Sequence, residues 1–279
     1  MDILYSEVGL PIVSVSFILG TIVGSFLNVV IYRLGTGESI GRSRSRCFSC
    51  GKTLTWRELI PLVSFIVQKG KCRSCGSRIS WQYPIVEFIT GLIFFLVALR
   101  LLNYQLAEVG LPHIGFDFFA TFIYWSTIFA ILIAISVYDF RHKIIPNQLV
   151  YPFFILAFLW GIFGSPTSAS YAEVGLPKIV AGAGAFLFFA SLWFFSKGKW
   201  MGFGDAKLAL GIGFFLGPWL TVVAVTLSFW IGTLIAVPFV LLWGGGLKTQ
   251  IPFGPFLALG AFMAWLLGDN LTHFYLGFF

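Results

Sequence analysis

The sequence predicts an all-α polytopic membrane protein of about eight transmembrane helices, with a small zinc-binding cytoplasmic loop domain between helices 1 and 2. Three observations carry this prediction. Of 279 residues, 58% are hydrophobic and only 10% are charged, against about 25% charged in a soluble domain. Uncharged runs near the roughly 20 residues that cross a bilayer recur along the chain. All four cysteines fall in two Cys-x-x-Cys-Gly turns within the one long polar segment.

The spans follow in order. Val8 to Tyr32 is uncharged, and a weaker run from about Tyr83 to Leu102 contains Glu87. Phe118 to Tyr138, Ile144 to Ala172 and Ile179 to Ser196 come next. Leu208 to Leu247 is interrupted at Gly217-Pro218 and reads as two helices, and Thr249 to Gly268 closes the set. The first run is too long for a cleaved signal peptide, and its basic residue, Arg33, follows it rather than precedes it. Helix 1 therefore reads as a retained anchor.

With eight alternating spans, segments 33–82, 139–147, 197–207 and 244–250 share one side. They hold all of the 18 basic residues except Arg100 and Lys178. Positive residues favour the cytoplasm, which places both termini outside and the long loop inside. The net charge of +7 is then a matter of topology, and no nucleic-acid partner is needed to account for it. The pentapeptide Glu-Val-Gly-Leu-Pro recurs at 7–11, 108–112 and 173–177. Each copy falls outside by this topology, shortly before a span, and none suggests a chemical role.

Residues 33–82 are too few to build a good core unaided. Cys47-Phe48-Ser49-Cys50-Gly51 and Cys72-Arg73-Ser74-Cys75-Gly76 supply the missing staple. Two such turns match the spacing of a tetrahedral four-thiolate zinc site, with Cys47, Cys50, Cys72 and Cys75 as ligands. Disulfides are the competing reading, and a reducing cytoplasm disfavours them. No His or carboxylate accompanies the cysteines, so the metal is expected to be structural. Leu54 to Phe65, between the turns, is amphipathic and suits the membrane surface or the face of the knuckles.

Several polar residues have two readings each. Gly24, Ser25 and Asn28 lie within about one turn of helix 1, a pattern that favours close helix packing or, with Asn28 near the cytoplasmic edge, a binding site. Glu87 opens helix 2, where the helix dipole stabilises a carboxylate, or where it faces helix 1 and the loop as a functional group. Asp139 ends an apolar run beside Arg141 and Lys143, which offer it a surface ion pair. Asp205 begins the next-but-two run at the same boundary, in the polar island Lys199-Trp200-Met201-Gly202-Phe203-Gly204-Asp205-Ala206-Lys207.

These are the only two aspartates on the cytoplasmic face. An ionisable residue at membrane depth is costly and marks a functional site by default. The helix after Asp205 runs about 12 residues to the Gly217-Pro218 break, or roughly 18 Å, against a hydrocarbon core of about 30 Å. Irregular backbone at that depth needs a cavity or protein around it, and Gly202 and Gly204 suit such a place. Two neighbouring carboxyls share a proton, so one acts as base and the other as acid. That chemistry hydrolyses peptides.

Gly202-Phe203-Gly204-Asp205 resembles the Gly-x-Gly-Asp motif of membrane aspartic proteases, with Tyr138-Asp139 supplying the partner aspartate. The wider set is similar to the prepilin peptidase family, the bifunctional leader peptidase and N-methyltransferase of type IV pilus and type II secretion systems. It comprises Gly24 through Val29 with Tyr32-Arg33, the paired cysteine turns, Ile60 through Ser64, Ile79 through Glu87, Asp139 through Asn147, and Pro252-Phe253-Gly254-Pro255-Phe256. Gly35-Thr36-Gly37 and Phe48 depart from it where relatives commonly carry proline.

The resemblance implies an enzyme of the bacterial cytoplasmic (inner) membrane. Its substrates would be type IV prepilins or pseudopilins, whose basic leader is cleaved after a glycine by Asp139 and Asp205. It also implies S-adenosylmethionine-dependent methylation of the new N-terminal residue, usually phenylalanine, associated with the loop. Residues 1–32 would be the first helix, 33–82 the zinc domain and 83–279 a seven-helix peptidase domain. No glycine-rich nucleotide motif locates the methyl donor, and Gly24, Asn28 and Glu87 are the candidates. Two other readings compete. An intramembrane aspartic protease resembling presenilin or signal peptide peptidase would leave the zinc loop and the helix-1 motif unexplained. A transporter carrying protons or cations on the two aspartates would give the zinc loop no role.

Overall fold

The computed structural model describes residues 9–109, 114–163, 171–242 and 251–276. The described chain is helical: α1 (Gly9–Arg33), a 3-10 turn (Trp56–Glu58), α2 (Val63–Val67), α3 (Gln82–Val109), α4 (Phe116–His142), α5 (Asn147–Phe163), α6 (Tyr171–Ser196), α7 (Phe203–Leu216), α8 (Pro218–Leu242) and α9 (Gly254–Leu276). Among the described residues, five segments are long and apolar enough to cross a membrane: Gly9–Arg33, Gln82–Leu106, Phe116–His142, Gly175–Ser196 and Pro218–Pro238. Asn147–Gly161 and Gly254–Gly268 are apolar but shorter, so length and composition support five spans where about eight are expected. The all-helical membrane architecture itself is as expected.

Three local details differ from expectation. Residues 173–177 lie within α6, whose helix continues through Pro177. The other two copies of the repeat fall partly or largely outside the described residues. Leu54 to Phe65 is not one continuous amphipathic element. Pro61 precedes a positive φ of 60° at Leu62, and this separates the 3-10 turn from α2. The helix carrying Asp205 begins earlier than expected, at Phe203, and its 14 residues rise about 21 Å. It stops where the Gly217-Pro218 break predicts, with Gly217 at φ 78° and its N–H on Gly213 O at 2.9 Å. Pro218 then opens α8 at the first helical position, where a missing N–H costs nothing.

The chain divides into two compact units, Met1–Ala130 and Ile131–Phe279. In the first, α1 and α3 are in near backbone contact. A Cβ added to Gly20 would lie 2.8 Å from Gly91 Cα, and one on Gly24 would lie 2.8 Å from Glu87 Cα. Small residues spaced by four permit such an approach. Val13, Ala98, Leu102 and Phe118 form the buried core beyond it. At the other end of α1, the Arg33 guanidinium donates to the carbonyls of Ser39, Ile40, Ser43 and Arg44 at 2.9–3.2 Å. One side chain thus folds the start of the loop.

In the second unit α7 is the central element. Gly213 meets Gly182 of α6, and Gly211 admits the Phe153 ring of α5, which would stand 2.5 Å from an added Cβ. Phe189, Phe229 and Phe253 pack as a trio with centroids 5.0–6.1 Å apart, tying α6 and α8 to the segment that opens α9.

Candidate active site

Asp139 lies in the last turn of α4 and Asp205 in the first turn of α7, both buried, at 4% and 6% exposure. Each is held by a glycine amide. Gly254 N–H donates to Asp139 Oδ2 at 3.1 Å, and Gly202 N–H donates to Asp205 Oδ2 at 3.1 Å. Ile145 links the two. An added Cβ on Gly204 would lie 2.8 Å from Ile145 Cβ, and one on Gly254 would lie 3.3 Å from Ile145 Cδ1 and 2.6 Å from Asp139 Oδ2. The carboxyls are near enough for the charge of Asp139 to act on Asp205. Asp205 Oδ1 is buried without a hydrogen-bond partner among the described residues. A buried polar atom left unpaired is costly unless a ligand or water meets it.

Lys207, one turn along α7, closes the edge of this region. Its ammonium donates to Asn147 Oδ1 at 3.0 Å and lies over the rings of Phe203 and Tyr151 at 5.4 and 6.0 Å. Asp139, Asp205, Gly202 and Gly204, chosen from sequence, are therefore brought together. Gly254 and Ile145 complete the set. Both stood within quoted motifs, but nothing local marks a contact across 115 residues of chain.

The four cysteines also converge. All four sulfurs lie within 4.8 Å of one another, and Cys47 Sγ and Cys75 Sγ are 3.9 Å apart. A zinc–sulfur length of about 2.3 Å sets tetrahedral sulfurs roughly 3.8 Å apart. The two turns are copies of one another. Gly51 N–H donates to Cys47 O and Gly76 N–H to Cys72 O, Cys47 N–H donates to Lys52 O and Cys72 N–H to Ser77 O, all at 2.9 Å. Gly51 and Gly76 take φ of 73° and 70°, a left-handed turn that glycine adopts without strain. Hydrogen bonds from the Cys50 amide, the Ser77 hydroxyl and the Ser49 amide hold the Cys47 thiol down at about 6, which favours the thiolate that binds metal.

Gly24, Asn28 and Glu87 meet beneath these knuckles. Asn28 is fully buried. Its Nδ2 donates to the Gly24 and Tyr83 carbonyls, and its Oδ1 accepts from Gln82 Nε2, all at 3.3 Å. Glu87 Oε2 accepts the Leu62 N–H at 2.8 Å. Both face a cavity of about 380 Å³ that reaches up to Cys47 and Cys72. Tyr32 stacks on Tyr83 at 5.3 Å and tilts against Phe48 at 5.4 Å, so one wall is aromatic. Tyr83, Gln82 and Leu62 also stood within quoted motifs, but nothing local marks this role, because backbone and amide contacts place them.

Two family models match this chain. Residues 18–101 match the model of the bacterial peptidase A24 N-terminal domain, and residues 126–237, which include both aspartates, match that of the type IV leader peptidase family. A prepilin leader peptidase/N-methyltransferase of Bacillus subtilis (strain 168) is 35% identical, covering 94% of this chain and 97% of the relative. The chain belongs to the type IV leader peptidase family. Proteins of the same description from Pseudomonas aeruginosa and Aeromonas salmonicida (strain A449) are each 32% identical, over 96% and 94% of this chain and 95% and 93% of the relatives. No solved structure matches. The A24 N-terminal match covers the cysteine turns and the cavity, and the leader peptidase match covers the paired aspartates.

Proposed function

We infer that this protein is a bifunctional prepilin peptidase of the bacterial inner membrane. It cleaves the basic leader of type IV prepilins or pseudopilins at the cytoplasmic boundary and N-methylates the residue so exposed. The observation that carries the proteolytic half is the pair Asp139 and Asp205, each with one oxygen pinned by a glycine amide, and with Asp205 Oδ1 buried and unmet. The glycine amides fix the two carboxyls so that their remaining oxygens face a shared substrate. One carboxylate takes a proton from water as that water attacks the scissile carbonyl. The other, protonated, hydrogen-bonds the carbonyl oxygen, and a proton is returned to the leaving amine. The roles belong to the pair. A basic leader stays in the cytoplasm by the rule that places the long loop there, so a dyad at this edge meets the bond to be cut.

The methylating half is assigned to the cavity under the knuckles, with residues 33–82 as its domain, 1–32 as its anchor and 83–279 as the peptidase domain. Its volume falls within the range of small-molecule sites. It combines a buried carboxylate with an aromatic wall, and aromatic faces attract a sulfonium-type cation. Glu87 holds the substrate's ammonium and takes its proton, Asn28 fixes the cavity floor, and Gly24 lets α1 approach Glu87. S-adenosylmethionine, when bound, supplies the methyl group. Zinc on Cys47, Cys50, Cys72 and Cys75 fixes the roof.

The deciding experiment incubates purified protein with a prepilin and a labelled methyl donor. Glu87→Gln is expected to retain cleavage, lose methyl transfer and weaken donor binding measured by calorimetry. Unchanged donor affinity with full methylation would remove Glu87 from the site. Cys72→Ser is expected to lose zinc by metal analysis, and a full equivalent retained would refute the four-cysteine ligand set.

A further inference from the structure

The loop treats its cations unequally. Near the first cysteine turn, Arg33 and Arg46 pair with Glu38, and Lys52 pairs with Glu58. Near the second, there is no acidic residue between Glu58 and Glu87, and Lys69, Lys71 and Arg78 form no ion pair among the described residues. Lys71 and Arg78 are moreover direct antiparallel bridge partners. Like charges set opposite one another are destabilising, so this arrangement is tolerated at a cost unless an anion meets it.

The same residues rim a groove of about 780 Å³. Lys69 and Gly70, at φ 51° and 67°, turn the chain around its end, and Phe65 packs on Trp81 at 5.0 Å to form one wall. The floor is the start of α3, where Ile85, Phe88, Ile89 and Leu92 are 39–50% exposed. Their spacing of i, i+3, i+4 and i+7 makes one continuous stripe, and α3 is a candidate membrane span. Trp81, 70% exposed, stands at the junction, the depth that Trp favours in membranes.

We propose that this groove binds an anionic phospholipid, with its phosphate on Lys69, Lys71 and Arg78 and an acyl chain along Ile85 and Ile89. Charge complementarity selects the sign of the headgroup. The apolar floor, continuous with a membrane-facing stripe, selects a lipid over a free phosphate. The groove shares Phe65, Arg78 and Ile79 with the lining of the Glu87 cavity, but the proposal does not depend on the role assigned to that cavity or to the aspartates. The groove's occupant would seat the second knuckle on the membrane surface.

The test is native mass spectrometry of the full-length protein released from detergent, offered phosphatidylglycerol or phosphatidylcholine of equal chain length. One phosphatidylglycerol should be retained in preference. Each cation near an anionic surface contributes about fivefold in affinity, so Lys71→Gln with Arg78→Gln should weaken retention by more than about tenfold. Arg57→Gln, away from the groove, should not. Ile89→Ser should weaken it without altering charge, and Lys69→Gln stands in if the double variant loses its zinc or helicity. Equal retention of both lipids, or wild-type retention by the Lys69, Lys71 and Arg78 variants, would overturn the proposal. So would competition by glycerol phosphate or an acidic peptide at equal concentration, since either would point to a soluble anion or a protein partner.

Discussion

Glu58 in the loop and Asp205 in α7 occupy the same local position and are treated in opposite ways. Each lies three residues after the residue that caps its helical turn, and each accepts that residue's own N–H, at 2.9 Å from Thr55 and 3.1 Å from Gly202. Thr55 adds its hydroxyl to Glu58 Oε2 at 2.8 Å, and Lys52 reaches Oε1 at 3.3 Å. Both oxygens are engaged, and the carboxyl is held down at about 2. Gly202 has no side chain to offer. Asp205 keeps the cap's backbone half and is left with a bare Oδ1. The oxygen left bare on Asp205 corresponds to the one that Lys52 meets on Glu58, and the hydroxyl that Gly202 lacks would reach the oxygen its amide already holds.

The largest effect that tests this contrast is at the bare oxygen. Asp205→Asn and Asp139→Asn should each reduce leader cleavage by about 10²–10⁴-fold, the usual range for a positioned acid or base, while the protein still inserts. Normal processing of a co-expressed prepilin by either variant would sink the dyad. Gly254→Ala comes next, because its Cβ would stand 2.6 Å from Asp139 Oδ2, displacing the carboxylate or breaking its amide bond. A loss of about tenfold or more in kcat is expected.

Gly202 offers the sharpest comparison. A Cβ there meets nothing nearer than Asp205 Oδ2 at 3.5 Å, an ordinary contact, and its φ of −78° suits any residue. Gly202→Ala should therefore cleave at close to the wild-type rate. Gly202→Ser restores the hydroxyl that Thr55 gives Glu58 and should be the slower of the two by several-fold. Equal rates for the pair would show that the missing hydroxyl is irrelevant.

The smallest effect concerns Glu58 itself. Its folded value, about 2, lies below the ordinary glutamate value of 4.5, so its contribution to stability is full above about pH 4.5 and is lost as pH falls toward 2. Glu58→Gln should melt lower than the wild type near neutrality, with the gap closing below about pH 4.5, and should cleave prepilin normally. A gap constant across that window would mean that the carboxylate's charge contributes nothing to the cap.

Much of this was legible because membrane proteins place charge sparingly. Asp139 and Asp205 stood out at the ends of apolar runs, and four cysteines in two matching turns admit few arrangements. Gly254 was not legible as a dyad residue, since its amide reaches Asp139 through the return of α9 past α4. The Glu87 cavity was hidden for another reason. It is assembled from α1, the 3-10 turn, both knuckles and α3, and its polar anchors include the Leu62 amide and the Tyr83 carbonyl, which every residue possesses. The count of eight spans is not confirmed by helix length among the described residues, because α5, α7 and the apolar part of α9 are short.

The shortness of α7 carries a consequence for how hydrolysis is supplied. A helix of about 21 Å falls short of a hydrocarbon core of about 30 Å, and α5, α6, α8 and α9 surround it and bury most of its residues. Protein rather than lipid therefore lies around the length it lacks, the condition under which polar backbone is tolerated at membrane depth. The reaction consumes one water per leader removed, and the start of α7 can hold that water beside Asp205 without exposing it to lipid.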